Sequence, residues 1–528
     1  MKRIISVFLC ALMAACVFSS CKKSEITALY FAVSGAASSF DPQIAEDGAV
    51  GIVVRNCFEG LVYVDENGEV IPGAAERWEI SPDGKTYTFY LRSAKWRLTG
   101  TAKEGLGEKL PEDFAPEVTA ADFEFALRRA CDPATGAEDA SLLSNITGFS
   151  QIASGEADIS TLGVKATGER TLVITLNEPE SGFLEVLSEP VCMPCNEEFF
   201  EATGGRYGLL IKYIMSNGPF YLTRFDDNSF RMAKNPDYSG EHTAKADVVW
   251  LYSGYDAAKV SEGLNEKTLS GALMSEADAG SLSVKKTVVN GVPDILRALI
   301  FNLGKREISN ENVRLAFLSA TDLSDMCAGF NKEKTDRVFP FSNGASPQEG
   351  VGFSVKNASK YMEKGLRELE KTDLSFTLLC EERFDSAVRE LLQSWQKDFG
   401  IYVNVGIENV SSEELESRVK SGEFDMAIYP VSARFFAPFT FFSRFSATDK
   451  NSISFLEDSE YDRAVAALRF SSDDAEGSRL SSVEKQLLSG ACVLPMWNEN
   501  SCIVTLGTVS GVRYLGGCRL YFYDAKLQ

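Results

Sequence analysis

The chain has almost no histidine. Among 528 residues there is one, His242. A Ser-His-Asp triad, a Cys-His pair or a His-rich metal site would each have to use that single side chain, which weighs against most hydrolase and metalloenzyme readings. Basic residues are also outnumbered. There are 53 Lys and Arg against 75 Asp and Glu, a formal net charge of −22. So acidic a surface repels phosphate backbones and disfavours nucleic acid as a partner. Past the amino-terminal segment no run of 18 apolar residues occurs, so no later membrane-spanning helix is expected. Short internal repeats and low-complexity linkers are absent too. What remains is ordinary globular composition, 45% hydrophobic and 24% charged. That is ample for a large core, in a chain long enough for roughly three to four domain-sized units.

The first residues read as an export signal. Lys2 and Arg3 form a charged head, and Ile4 to Phe18 is an apolar run interrupted only by Ser6. Such a run is short for a membrane span and suits a signal core. Phe18-Ser19-Ser20-Cys21 follows. It resembles the lipobox of bacterial lipoproteins, in which the signal is cut and the cysteine is lipidated, although Phe18 departs from the usual Leu. Met13-Ala14-Ala15-Cys16 is an alternative box, and plain secretion is the simpler alternative. Cys21 is preferred because Lys22-Lys23-Ser24-Glu25 follows as a polar tether. Residues 1–20 are then the signal and 21–27 the tether. Several acyl chains on one cysteine hold a protein firmly at a membrane, where one chain alone binds marginally. The expected location is the extracytoplasmic side of the cell envelope.

Of the 12 cysteines, nine lie beyond Cys21. An odd number leaves at least one free thiol unless it pairs with another chain, and export permits disulfides without requiring them. Cys192-Met193-Pro194-Cys195 is a CxxC. It could be a redox pair, half a metal site, or two packing thiols in a tight loop. No second CxxC, nearby histidine or thioredoxin-like pattern supports the first two. No metal or cofactor is expected.

The coarse pattern is mixed α/β. Ala28 to Val33, Tyr87 to Leu91 and Thr171 to Leu176 read as strands. Leu61 to Val64 and Glu69 to Ile71 form a hairpin. Thr119 caps a helix with Asp122 in a capping-box position. Phe220 to Phe225 turns through Asp226-Asp227-Asn228-Ser229 into Phe230 to Lys234. The stretch 374–429 is the clearest. A strand at Leu374 to Leu379 precedes a helix bearing Val388, Leu391, Leu392, Trp395 and Phe399, stopped by Gly400. A strand with Ile401, Val403 and Val405 follows, then a helix opened by the Ser411-x-x-Glu414 box and ended by Gly422, then a strand at Phe424 to Tyr429. This is βαβαβ, hence a parallel sheet with right-handed crossovers. Ligands of such sheets sit at the carboxyl ends of the strands. Those ends lie near Cys380 to Arg383, Ile407 to Val410, and Tyr429 to Phe435. Arg383, Tyr429, Ser432 and Phe435 are therefore candidate ligand contacts.

A series of short motifs runs along most of the chain in a fixed order. It includes Phe40-Asp41-Pro42, Asn56-Cys57-Phe58-Glu59-Gly60-Leu61-Val62, the stretch Gly68 to Trp78, Asp83-Gly84-Lys85-Thr86-Tyr87-Thr88-Phe89-Tyr90-Leu91-Arg92, and Val118-Thr119-Ala120-Ala121-Asp122-Phe123. Asn217-Gly218-Pro219-Phe220, Lys234-Asn235-Pro236-Asp237-Tyr238 and Val313-Arg314-Leu315-Ala316 complete it. The ordered series resembles family 5 of the extracytoplasmic solute-binding proteins of ABC importers, which includes oligopeptide-, dipeptide- and nickel-binding proteins. The resemblance implies a two-lobed periplasmic-binding-protein-like α/β fold, type II, of the large cluster C type, with an extra subdomain in lobe one. It implies lobe one over 28–299 with a return at 495–528, an extra subdomain at about 57–165, and lobe two over 300–494. The crossings are then expected near Ile300-Phe301-Asn302 and Leu494-Pro495-Met496. The implied activity is non-enzymatic: closure of two lobes on a peptide or related small solute, delivered to a membrane permease by a monomer anchored through its lipid. A repurposed scaffold acting as sensor, chaperone or adhesin is the alternative.

The series departs from the family at one telling place. Where peptide-binding members carry an Asp that pairs with the peptide α-ammonium, alignment on Pro438 puts Arg434. A guanidinium repels a cation and suits a bidentate carboxylate or phosphate. Two expectations follow: a ligand with an anionic group at Arg434, or Arg434 paired with a local carboxylate or facing solvent. Glu59 resembles a backbone-contacting position of peptide binders, with a surface carboxylate as the alternative, and Asn56 belongs to the same motif. Asn217 is placed either on ligand or in shaping the Gly218-Pro219 turn, and Trp497 either on ligand or as a hinge brace. Phe435, Phe436, Phe439, Phe441, Phe442 and Phe445 are expected mostly as core beneath the cleft, with one or two flooring an apolar pocket. The Gly- and Glu-rich stretch Arg97 to Pro116 is longer than the family's link at that point.

Overall fold

The computed structural model describes residues 26–35, 38–45, 48–99, 101, 105–106, 109–110, 117–342, 351–434, 437–470 and 473–528. The signal, the lipobox with Cys21, Phe435, Phe436 and most of the 97–116 stretch lie outside the described residues. Ten strands form one mixed sheet through the molecule. Their order is Phe220–Asp226, Ser229–Lys234, Val248–Tyr252, Ala28–Ala32, Gly271–Ser275, Val493–Leu506, Thr287–Phe301, Met426–Ser432, Leu374–Glu381 and Val403–Val410. The first five belong to one half of the protein and the last three to the other. The two long strands between them join the halves. They pair antiparallel from Thr287 against Leu506 to Ile300 against Val493, with register shifts between Val292 and Ile295 and between Arg297 and Ala298. Residues 501–505 also pair with Gly271–Ser275, while residues 295–301 pair with Met426–Ser432. The chain thus passes between halves in the middle of these strands. Ile300 to Asn302 and Leu494 to Met496 sit at their second-half ends.

Core packing divides the same way. One apolar cluster collects residues between Leu29 and Leu251 with Ile503 to Ala525. Two others sandwich the second half's sheet. Leu299, Phe301, Met426 and Ile428 face one cluster; Ala298, Ile300, Ala427 and Tyr429 face the other. Alternate residues entering opposite cores explain why these strands read as continuous apolar runs rather than as alternating ones.

The βαβαβ unit is present and parallel, with Leu374–Glu381 between Val403–Val410 and Met426–Ser432. Its helix Asp385–Phe399 buries Val388, Leu391, Trp395 and Phe399 and ends at Gly400, whose φ is 59°. A residue with a Cβ would be strained there. Ser411 caps Ser412–Lys420 by accepting from the Glu414 amide. In the first half, Thr119 and Asp122 make the expected capping box on Ala120–Cys131. That helix packs on a separate antiparallel sheet ordered Ala75–Ile80, Thr86–Leu91, Thr171–Thr175 and Val164–Gly168. The subdomain it forms supplies a short 3₁₀ segment, Glu138–Leu143, anchored by buried Leu142 and Leu143. This segment overhangs the space between the halves.

Candidate functional site

Between the halves lies a cleft of about 1830 Å³. The second half brings two carboxyl ends of its parallel strands to it, at Glu381 and at Tyr429 to Arg434. This is where a ligand of such a sheet belongs. The first half brings the 3₁₀ segment, Arg55 on the helix Ala49–Cys57, and the return segment Leu515 to Arg519. Phe439 supplies an apolar wall, while Phe441, Phe442 and Phe445 are buried beneath it.

Guanidinium groups dominate the chemistry. Arg434 donates from both terminal nitrogens to both oxygens of Asp139, at 3.2 and 3.0 Å. Its carboxylate is neither local in sequence nor from the same half. Deeper in, Arg55 and Arg519 grip the two oxygens of buried Glu189. Burial opposes ionisation of Glu189, but Arg519, Arg55 and Arg434 outweigh it and hold the carboxyl well below the usual range. Arg469 crosses from the second half to Glu180, Ser144 and Ser141 of the first. Each of these guanidinium groups already meets a carboxylate of the protein, Asp139, Glu189 or Glu180.

The candidate residues separate into two sets. Arg434, Ser432 and Tyr429 line the cleft. Tyr429 is nearly buried there, its hydroxyl 3.5 Å from an Arg444 nitrogen, and burial raises its pKa. Glu59, Asn56, Asn217, Arg383 and Trp497 stand apart from the cleft, each held by protein partners. Asn56 donates to the carbonyls of Ile52 and Leu520 and accepts from the Phe522 amide, stitching helix Ala49–Cys57 to the return segment. Asn217 brackets the backbone of Glu59, accepting from its amide at 3.0 Å and donating to its carbonyl at 2.9 Å. The Glu59 carboxylate receives Arg92 and the Tyr238 hydroxyl. Burial pushes its pKa up to about 7, against the opposing pull of Arg92 and Tyr238. Trp497 donates to Glu499 and packs on Phe330 and Phe384. Arg383 joins Glu381 and Glu499 at the crossing strands.

Sequence reading passed over Arg55, Asp139, Glu189, Arg469 and Arg519. Only Arg55 had a signal, as the neighbour of Asn56. The nine described cysteines are free thiols. Cys192 and Cys195 are fully buried, and burial pushes Cys195 up to about 12. The CxxC is a packing element, since such thiols are poor nucleophiles. His242 is clamped between the rings of Tyr63 and Tyr523. Among the described residues, no group of three His, Cys, Asp or Glu is placed to hold a metal ion, and no helix is long and apolar enough to cross a membrane.

Residues 69–452 match the middle region of the bacterial extracellular solute-binding proteins, family 5. The chain belongs to this family. Over 517 residues this family 5 protein is 26% identical to the dipeptide-binding protein DppE of Bacillus subtilis (strain 168), covering 93% of this chain and 90% of the relative. It is 28% identical to the oligopeptide-binding protein OppA of the same organism over 409 residues, covering 72% and 71%. Its fold is that of peptide-bound OppA from Listeria monocytogenes, with TM-score 0.78 at 21% identity, covering 96% of this chain and 99% of that one. A family 5 fold accounts for both the crossing strands and the overhanging subdomain.

Proposed function

We propose that this protein is the solute receptor of an ABC importer: it takes a peptide into the cleft by hinge closure and delivers it to a membrane permease. The supporting observation is the cleft itself. Its volume of about 1830 Å³ exceeds the roughly 300–1,000 Å³ of ordinary small-molecule pockets. Both halves contribute walls, so a bound solute touches both only when they close, and that differential contact drives the population shift. The names of the full-length relatives point to the same ligand class. The peptide carries an anionic group, a side-chain or terminal carboxylate, that enters the Arg434 fork. The receptor acts as a monomer, held at the extracytoplasmic face by lipid on Cys21.

Native mass spectrometry of protein purified from its own host tests the ligand class, with peptides as the expected cargo. Calorimetry with acidic and neutral peptide libraries then tests the anchor. Acidic peptides should lose about 1.5–3 kcal/mol of binding on Arg434→Ala, the range of a hydrogen bond to a charged group, since Arg434 stays partly exposed. Equal affinities of the two forms for every binder would remove the anchor. Absence of any peptide binding would remove the ligand class.

A further inference from the structure

Five arginines line the cleft: Arg55, Arg434, Arg444, Arg469 and Arg519. Four of them grip Glu189, Asp139 or Glu180. Arg444 does not. Among the described residues it pairs with no Asp or Glu, and its side-chain hydrogen bond is a long one, 3.5 Å from Nη2 to the Tyr429 hydroxyl. The guanidinium nevertheless stands on a rigid base. Phe442 and Phe445 bury themselves in the second-half core on either side of it, and the Ile453 amide donates to the Arg444 carbonyl at 2.7 Å. The Tyr429 ring packs in the same core, with the residue only 4% exposed. Its hydroxyl accepts from Arg444 and donates to no carbonyl or carboxylate of the described residues. Nearly buried hydroxyl protons ordinarily find an acceptor. The charges that act on this hydroxyl are Arg444, Glu416 and Lys420. Lys420 and Glu416 offset each other as an ion pair at 2.9 Å, which leaves the Arg444 charge uncompensated. From the other half, Glu138 faces Lys420.

We infer that Arg444 and the Tyr429 hydroxyl form a second carboxylate subsite of the cleft, separate from Arg434: the guanidinium takes a carboxylate of the solute in its fork, and the phenol donates to the same group. This rests on the reading that the cleft takes a peptide. A carboxylate arriving at Arg434 has Asp139 to displace. One arriving at Arg444 displaces no carboxylate of the protein. A guanidinium suits a planar group with two acceptor oxygens, and a partly buried one holds it better than a solvated lysine does. Arg444, Tyr429 and Lys420 all belong to the second half. The subsite is therefore complete while the cleft is open, and the solute docks there before the first half closes over it.

The test uses the full chain freed of cargo by denaturation and refolding. The probes are the peptides Ala-Glu-Ala-Glu-Ala and Ala-Gln-Ala-Gln-Ala, each with a free and with an amidated carboxyl terminus. Arg444→Gln should weaken the acidic peptide with a free terminus roughly ten- to a hundredfold, the range of a hydrogen bond to a charged group. Tyr429→Phe should weaken it roughly fivefold. Arg444→Lys keeps the charge without the fork and should fall between wild type and Arg444→Gln. The amidated Gln peptide has no carboxylate and should bind all forms within about twofold of one another. A loss that follows the Glu side chains assigns the subsite to a side-chain carboxylate, and a loss that follows the free terminus assigns it to the terminal one. An equal loss for the carboxylate-free peptide, or no loss for any peptide, would overturn the subsite. A second readout needs no peptide. Modification of Arg444 by phenylglyoxal, mapped by mass spectrometry, should be slowed by glutarate and not by glutaramide, and equal rates in the two would overturn the subsite as well. If no peptide binds wild type, the peptide reading fails, and protection by glutarate alone then decides the subsite.

Discussion

Arg297 grips both carboxylate oxygens of Glu499 from the neighbouring crossing strand, at 3.1 and 2.7 Å. The Trp497 indole donates to the same carboxylate at 3.0 Å, and Arg297 also reaches Glu381 at 3.3 Å. This knot sits where the chain passes between halves, with the Arg297 side chain only 2% exposed. It fixes the two strands as one ribbon, so closure turns on the ribbon rather than on sliding within it. Arg297→Ala leaves Glu499 buried without its main partner and should cost about 3–5 kcal/mol in urea unfolding. Replacing both, as Arg297→Met/Glu499→Leu, should recover most of the loss. A single variant as stable as wild type would show that the pair is not the fastener.

Asn217 and Asn56 replace backbone hydrogen bonds with side-chain ones, away from the cleft. Each buried group left unpaired costs about 1–3 kcal/mol. Asn217→Ala and Asn56→Ala should therefore lower the melting temperature clearly and leave peptide affinity within about twofold of wild type. A large loss of affinity in a still-folded variant would return these residues to the ligand site.

Glu59 makes stability depend on pH. Burial raises its pKa from an ordinary 4.5 to about 7, in spite of Arg92 and Tyr238. A carboxyl with a raised native pKa keeps its proton in the folded state while the unfolded chain has lost it. The native state then binds more protons between pH 4.5 and about 7, and stability falls as pH rises through that window. The change is on the order of 3 kcal/mol. Wild type minus Glu59→Gln, compared by denaturant titration at pH 4.5, 6 and 8, should show this fall. A difference that stays flat with pH would mean that Arg92 keeps Glu59 charged throughout.

Sequence periodicity made the parallel unit at 374–432 legible because each of its signals is local: a capping serine, a stopping glycine, one apolar helix face. The crossings near 300–302 and 494–496 come from the resemblance rather than from periodicity, and those positions lie at one end of the two long paired strands Thr287–Phe301 and Val493–Leu506. Asn56, Glu59 and Asn217 read as ligand contacts because a polar side chain that completes the protein's own backbone bonding resembles one that completes a ligand's. The Arg434 partner was out of reach, since Asp139 lies 295 residues away on a 3₁₀ segment without periodicity. The charge reversal was legible, whereas its partner required the fold.

Thiol chemistry reports on the cleft. Eight of the nine described cysteines are buried, and Cys518 is the partly exposed one. It lines the cleft, and the Gly48 amide donates to its sulfur at 2.7 Å. Burial pushes Cys195 up to about 12 and Cys192 well above its ordinary value, which leaves both as poor nucleophiles. Alkylation by iodoacetamide at neutral pH, mapped by peptide mass spectrometry, should therefore modify Cys518 well before the other described cysteines. A bound peptide should slow it, and Cys518→Ser should abolish the fast phase. Comparable labelling of Cys192 or Cys195 in the native protein would mean that the CxxC loop opens to solvent and is not a packing element.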